Sequence, residues 1–160
     1  ATTKAVAGTM LVRNSRKNWV TRAQEWDYFH GIAAIKRVQS LFQGTMVAQG
    51  AFSMYDRDAL GMIGGWKDCV GEDIVLTWAL LAKGWRVGHA ENALCFTNVH
   101  ENVPQLIRQR KRWSRGMIAA FRHHPRILVA GRMTTLFAWC ILLFPWLDLA
   151  YTLFDPRIRY

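Results

Sequence analysis

The apolar positions of residues 5–12, with Gly8 among them, predict a strand. Over residues 19–42 the period changes. Trp19, Ala23, Trp26, Phe29, Ala33 and Val38 recur at three-, four- or five-residue steps, which predicts a helix with one broad apolar stripe. Residues 46–54 predict a second strand carrying Gly50-Ala51, and Asp56 then opens a short helix that ends near Gly64-Gly65. Residues 72–83 predict a compact helix. Its first turn holds Glu72 and Asp73 and Gly84 lies just past its end, a polarity that suits the helix dipole and a glycine cap. Short strands are predicted over 86–90 and 93–99. Asn102 can cap a helix reaching about Phe121, with Pro104 tolerated in the first turn.

Charge changes the picture in the last third. No acid stands between Glu101 and Asp148, whereas Arg108, Arg110, Lys111, Arg112, Arg115, Arg122, Arg126 and Arg132 all fall there. Residues 133–154, directly after them, are almost wholly apolar. As a helix this run would be about 33 Å long, against a bilayer hydrocarbon core of about 30 Å. Basic residues beside an apolar span mark the cytoplasmic side. The expectation is a cytoplasmic globular part, a basic interfacial helix and then a membrane helix. Asp148 and Pro145 interrupt the run, so a buried hairpin of two short helices is the other reading.

At 160 residues the chain has the size of one domain, and eight Trp with eight Phe are many for a soluble one. A formal charge of +10 points to anionic partners: phosphates, acidic lipid or nucleic acid. Cys69, Cys95 and Cys140 are odd in number and lack metal-like spacing, which suits a reduced setting better than a disulfide framework. The chain opens on Ala1 without a secretory signal, in what reads as the approach to a strand, so it is expected to be cut from a larger protein.

Three constellations offer chemistry. Gln109, Arg112 and Trp113 stand at i, i+3 and i+4, so on a helix they share a face. The guanidinium can hold pyrophosphate oxygens in a fork, and the indole offers a flat surface to a pyranose. Alternatively the indole is an interfacial anchor among lipid-facing arginines. Glu72 and Asp73 can serve the helix dipole, or one can act as a carboxylate general base for an attacking sugar hydroxyl. Gly50-Ala51 would let a ligand approach backbone closely, or would mark a bulge. Asp56-Arg57-Asp58 spells a D-x-D metal signature, but its position assigns Asp56 to helix capping. His100 follows a strand and could reach a cleft, although a solvated or core histidine is the favoured reading, and His123-His124 end the basic helix.

In this order, with the local text Val6-Ala-Gly-Thr, Gln49-Gly-Ala-Phe, Gly71-Glu-Asp-Ile-Val-Leu-Thr and Gln109-Arg-Lys-Arg-Trp-Ser, the chain resembles processive family 2 glycosyltransferases. That group comprises cellulose, chitin, hyaluronan and poly-N-acetylglucosamine synthases, and the last branch looks nearest. The resemblance implies an α/β fold: a partial GT-A-like domain followed by interfacial and transmembrane helices. Residues 1–101 would be the acceptor-side half, 102–132 the Q-x-x-R-W helix with a basic interfacial segment, and 133–155 a transmembrane helix. It implies that Asp73, with Glu72 beside it, supplies the general base. Gln109 and Arg112 would bind near the donor pyrophosphate, Trp113 would pack on the acceptor sugar, and Gly50 and Ala51 would line the acceptor site. The implied reaction is inverting transfer from a nucleotide-sugar, such as a UDP-sugar, to a polysaccharide acceptor at the inner or plasma membrane, in contact with membrane lipid. Mg²⁺ or Mn²⁺ would offset leaving-group charge. The family's metal-binding D-x-D is expected upstream of Ala1, so no metal ligand is assigned here, and the 160 residues alone are expected to be inactive. Two rivals remain. A nucleic-acid-binding module would explain the charge but not the apolar run or the Glu72-Asp73 pair, so no nucleic-acid partner is expected. A non-catalytic, basic, membrane-anchored module would explain both charge and apolar run.

Overall fold

A computed structural model describes residues 2–42, 44–131, 134–141 and 143. Strand β1 (Thr3–Val12) lies at the centre of a three-stranded mixed sheet, between β2 (Ser53–Tyr55), antiparallel to it, and β3 (Arg86–Thr97), parallel to it. The two strands expected over 86–90 and 93–99 are one. The ladder passes from Gly8 opposite Ala90 to Thr9 opposite Leu94, so a bulge at residues 91–93 interrupts the pairing without ending it.

Helix α4 (Glu72–Ala82) organises the core. Ile74, Val75, Leu76, Trp78, Leu80 and Leu81 are all buried, so it is apolar nearly all round, as an interior helix is. Trp78 meets the Phe121 ring edge-on at 4.7 Å, and its Nε1 donates to the Met46 carbonyl at 3.0 Å. Trp78→Phe strands that carbonyl, at a cost of about 1–3 kcal/mol. The expected result is a Tm lower by several degrees in a thermal melt.

The strand expected over 46–54 is corrected: only Ser53–Tyr55 pairs. The residues before it are held by side chains instead of a ladder. Gln39 Oε1 accepts from Met46 N at 3.0 Å, Ala48 N donates to Thr77 Oγ1 at 3.0 Å, and Tyr55 Oη donates to the Ala48 carbonyl at 2.7 Å. Once those groups are satisfied, no strand partner is needed. Gly50 and Ala51 therefore sit in an exposed turn.

The helix expected over 19–42 is present as α1 (Trp19–Asp27), a π-helical stretch (Tyr28–Ala34) and α2 (Ile35–Leu41). Its stripe is a second correction. Trp19, Trp26, Phe29 and Val38 face outward, while Val20, Thr21, Gln24, Tyr28, Lys36 and Gln39 face inward. The inward polar groups serve buried backbone: Gln24 Nε2 donates to the Val20 and His100 carbonyls, as Gln39 serves Met46. The periodicity was helical, but the polar face took the interior because irregular segments beneath it need hydrogen-bond partners.

Helix α3 (Arg57–Met62) follows Asp56, and α5 (Val103–His123) follows Asn102, whose side chain accepts from Gln105 N at 3.0 Å. A 3₁₀ turn (Pro125–Leu128) and a helix over 134–141 come next. Most of the span expected over 133–155 lies outside the described residues. Among the described residues, no helix is long and apolar enough to cross a membrane.

Candidate active site

Helix α4 begins at Gly71, whose φ of 81° is left-handed and suits glycine. A Cβ there would lie 2.4 Å from Gly116 Cα, and one on Gly116 would lie 2.8 Å from Gly71 Cα. Two glycines thus let the start of α4 touch α5 backbone to backbone. Gly116 stands one helical turn beyond Arg112 and Trp113, so this contact seats the acidic helix start against the Q-x-x-R-W helix.

Asp73 is half-buried in the first turn of α4, and Glu72 is exposed. Asp73 Oδ1 accepts from Ile74 N at 2.9 Å, and Oδ2 accepts from Gly50 N at 3.2 Å. The turn is fixed from its other side too. Gln49 Nε2 donates to the Gly8 carbonyl at 2.6 Å, and Gly8 N donates to the Phe52 carbonyl at 3.0 Å. Phe52 in turn packs in the same apolar cluster as Trp113, with Met10, Val12, Tyr28 and Val99. Asp73 thus meets the Gly50-Ala51 turn directly, and Phe52, just after that turn, packs against the cluster that also holds Trp113.

On α5, Trp113 is half-buried, 6.5 Å from the Tyr28 ring by centroids, with the Arg110 guanidinium 4.5 Å over its face. Arg110 is also paired with Asp27. The Tyr28 phenol is raised mainly by burial, and Gln109 Oε1 is buried without a partner among the described residues. Arg112 is exposed and joins Gln109, Arg108, Gln105 and His100 around a groove of about 350 Å³. Asp73 does not line that groove, so the acid of α4 and the Arg112 guanidinium are not brought to one cavity. His100 reaches a cleft, while His124 Nε2 lies 3.1 Å from the Val75 carbonyl.

Asp56 is a cap: its Oδ1 accepts from Ala59 N at 2.9 Å and its Oδ2 pairs with Lys4 at 3.0 Å. Among the described residues, no three His, Cys, Asp or Glu side chains gather. These residues do not by themselves fit the divalent cation that the resemblance implies.

Sequence pattern alone does not mark two further positions. Gly116 had one signal, a lone glycine inside a strong helical pattern. Lys36 had none: it is a lysine on a helix whose apolar stripe pointed elsewhere, yet only 6% of it is exposed.

A mixed α/β fold with a small sheet, an acid at a helix start and a Q-x-x-R-W helix packed against it fit part of a glycosyltransferase domain of the GT-A kind. The sequence profile described as "Glycosyl transferase family group 2" matches residues 2–159, and the chain belongs to that family. It is similar to poly-beta-1,6-N-acetyl-D-glucosamine synthases of Staphylococcus aureus (strain COL), at 32% identity, and Staphylococcus epidermidis, at 33%. Each match extends over 113 residues, 70% of this chain and 27% of the relative. The match therefore spans about a quarter of those relatives' length.

Proposed function

We propose that this chain supplies the acceptor side of an inverting synthase that adds N-acetylglucosamine, or a similar hexose, to a growing β-linked polysaccharide. Asp73 takes the proton of the acceptor hydroxyl as that oxygen attacks the anomeric carbon and nucleoside diphosphate leaves. Trp113 carries the acceptor ring, and the exposed Gly50-Ala51 turn lines the acceptor site. Gln109 and Arg112 bind near the leaving pyrophosphate, where the exposed Arg112 guanidinium can fork its oxygens. A divalent cation would offset leaving-group charge; its ligands belong outside the residues described. The observation that carries this reading is the Gly71–Gly116 contact, which sets the acid and the Q-x-x-R-W helix side by side.

In the same reading, residues 1–101 are the acceptor-side half and 102–132 the Q-x-x-R-W helix with its basic segment. The basic segment faces anionic lipid at the cytoplasmic side of the membrane, and the apolar residues from 133 to 155 enter it.

Isothermal titration tests the division of labour. With Mg²⁺ present, full-length protein is expected to bind a UDP-sugar, whereas the 160-residue chain alone gives no micromolar binding. Micromolar binding by the 160 residues would place the donor site within them and overturn this assignment.

A further inference from the structure

Three consecutive residues between β3 and α5 are each pinned by a side chain from residues 14–24. Asn14 holds Val99 at both backbone groups: its Oδ1 accepts from Val99 N at 2.9 Å, and its Nδ2 donates to the Val99 carbonyl at 3.0 Å. The buried Gln24 donates through Nε2 to the His100 carbonyl at 2.7 Å, and Asn18 Nδ2 donates to the Glu101 carbonyl at 2.9 Å. These bonds fix the backbone of His100, which lines the groove of about 350 Å³ together with Gln105, Arg108, Gln109 and Arg112 of α5. The His100 ring makes no hydrogen bond among the described residues. Its place is set while its N–H is left for something in the groove.

The charge around the groove has one sign. Arg108 and Arg112 stand one helical turn apart, a like-charge spacing that costs helix stability unless an anion answers it. Nearby cations have their acids: Arg110 pairs with Asp27, and Lys17 pairs with Glu101, the residue after His100, at 2.7 Å. Among the described residues, neither Arg108 nor Arg112 is ion-paired, and no Asp or Glu lines the groove.

We propose that this groove is a diphosphate cradle in which Arg108 and His100 bind alongside Arg112: two guanidiniums from α5 and one imidazole from the pinned loop. The inference rests on Gln109 and Arg112 binding near the leaving pyrophosphate, and goes beyond it by assigning two further donors to that group. Guanidiniums grip phosphate oxygens as planar forks, and the imidazole adds a single N–H from a fixed backbone. All three groups bind and none moves a proton, so the chemistry given to Asp73 is unchanged. The phosphate of an acidic lipid headgroup presents the same oxygens to cations near a membrane surface, so the test separates the two sources.

The test uses full-length protein in vesicles, with labelled sugar transferred from a UDP-sugar and UDP or uridine added as inhibitor. Arg108→Gln and His100→Ala are each expected to weaken inhibition by UDP about tenfold, the effect of one lost hydrogen bond to a charged group, and to raise donor KM in step. Inhibition by uridine, which has no phosphate, should not change. Arg108→Lys keeps the charge without the fork and should recover part of the loss. Neither side chain is bonded within the described residues, so Tm should stay within about 2 °C of wild type. Each assay is run in vesicles of phosphatidylcholine alone and of phosphatidylcholine with phosphatidylglycerol, and the loss should be equal in both. A loss confined to the acidic vesicles would give these cations to lipid headgroups and overturn the cradle. UDP inhibition within about twofold of wild type in both Arg108→Gln and His100→Ala would overturn it as well. Arg112→Ala separates the two claims. If that variant binds UDP normally, the assignment of the Q-x-x-R-W helix fails; if it is weakened while the Arg108 and His100 variants behave like wild type, only the cradle fails.

Discussion

Asp73→Asn in full-length protein is expected to reduce sugar incorporation by about 10²- to 10⁴-fold, the contribution of a positioned general base. The substitution is nearly isosteric. An asparagine oxygen can still accept one of the two backbone bonds now made to Ile74 N and Gly50 N, so the Gly50 turn stays roughly in place. The lost bond costs about 1 kcal/mol, too little to unfold the domain. Rate should therefore collapse while the melting curve barely moves. Glu72 provides the contrast, because it is exposed and Glu72→Gln should leave the rate nearly intact. Incorporation near the wild-type level in Asp73→Asn, measured with labelled donor, would show that the proton goes elsewhere.

Gly71→Ala should damage both stability and activity. Two penalties coincide at this position. A left-handed φ of 81° disfavours any side chain by about 1–2 kcal/mol. The new methyl would also sit 2.4 Å from Gly116 Cα, against backbone that cannot swing aside as a flexible side chain would. Overpacking of this sort costs about 1–3 kcal/mol. The total, about 2–5 kcal/mol, should appear as a Tm lower by roughly 5–15 °C for a domain of this size. Any relief requires the start of α4 to move off α5, which takes Asp73 away from the Q-x-x-R-W helix, so kcat falls as well. Gly116→Ala meets the same contact from the other side, at 2.8 Å and without the φ penalty, and should be milder. If Gly71→Ala melts like wild type and transfers sugar normally, the contact is not what joins the two motifs.

Elements with strong local signals were legible before any coordinates. α4 was readable from its acids, apolar run and Gly84; α5 from Asn102 and Pro104; and the cap at Asp56 from its place before a helix. Each depends on neighbours within a turn or two, which is the range over which capping and periodicity act. The direction of the stripe on α1 and α2 was not legible. Period says that one face differs from the other; it does not say which is inside when buried backbone elsewhere is short of partners. Segment 46–54 misled for the same reason, since its hydrogen bonds come from Thr77, Trp78 and Gln39, none adjacent in the chain. The candidate site divides in the same way. Its residue types were readable as motifs, while the approach of α4 to α5 depends on two glycines 45 positions apart, which no local pattern pairs.

The segment leading into the Gly50 turn has no partner strand to template it. Met46 and Ala48 take their shape from side chains of α2 and α4, the latter about thirty residues further along. Its bonds to α4 close loops of about thirty residues, so their loop-closure entropy is larger than for the local bond to Gln39. Its shape therefore depends on α4 being packed beside it. The turn that carries Gly50 is in this sense set by two distant parts of the chain, β1 through Gly8 and the helix that carries Asp73.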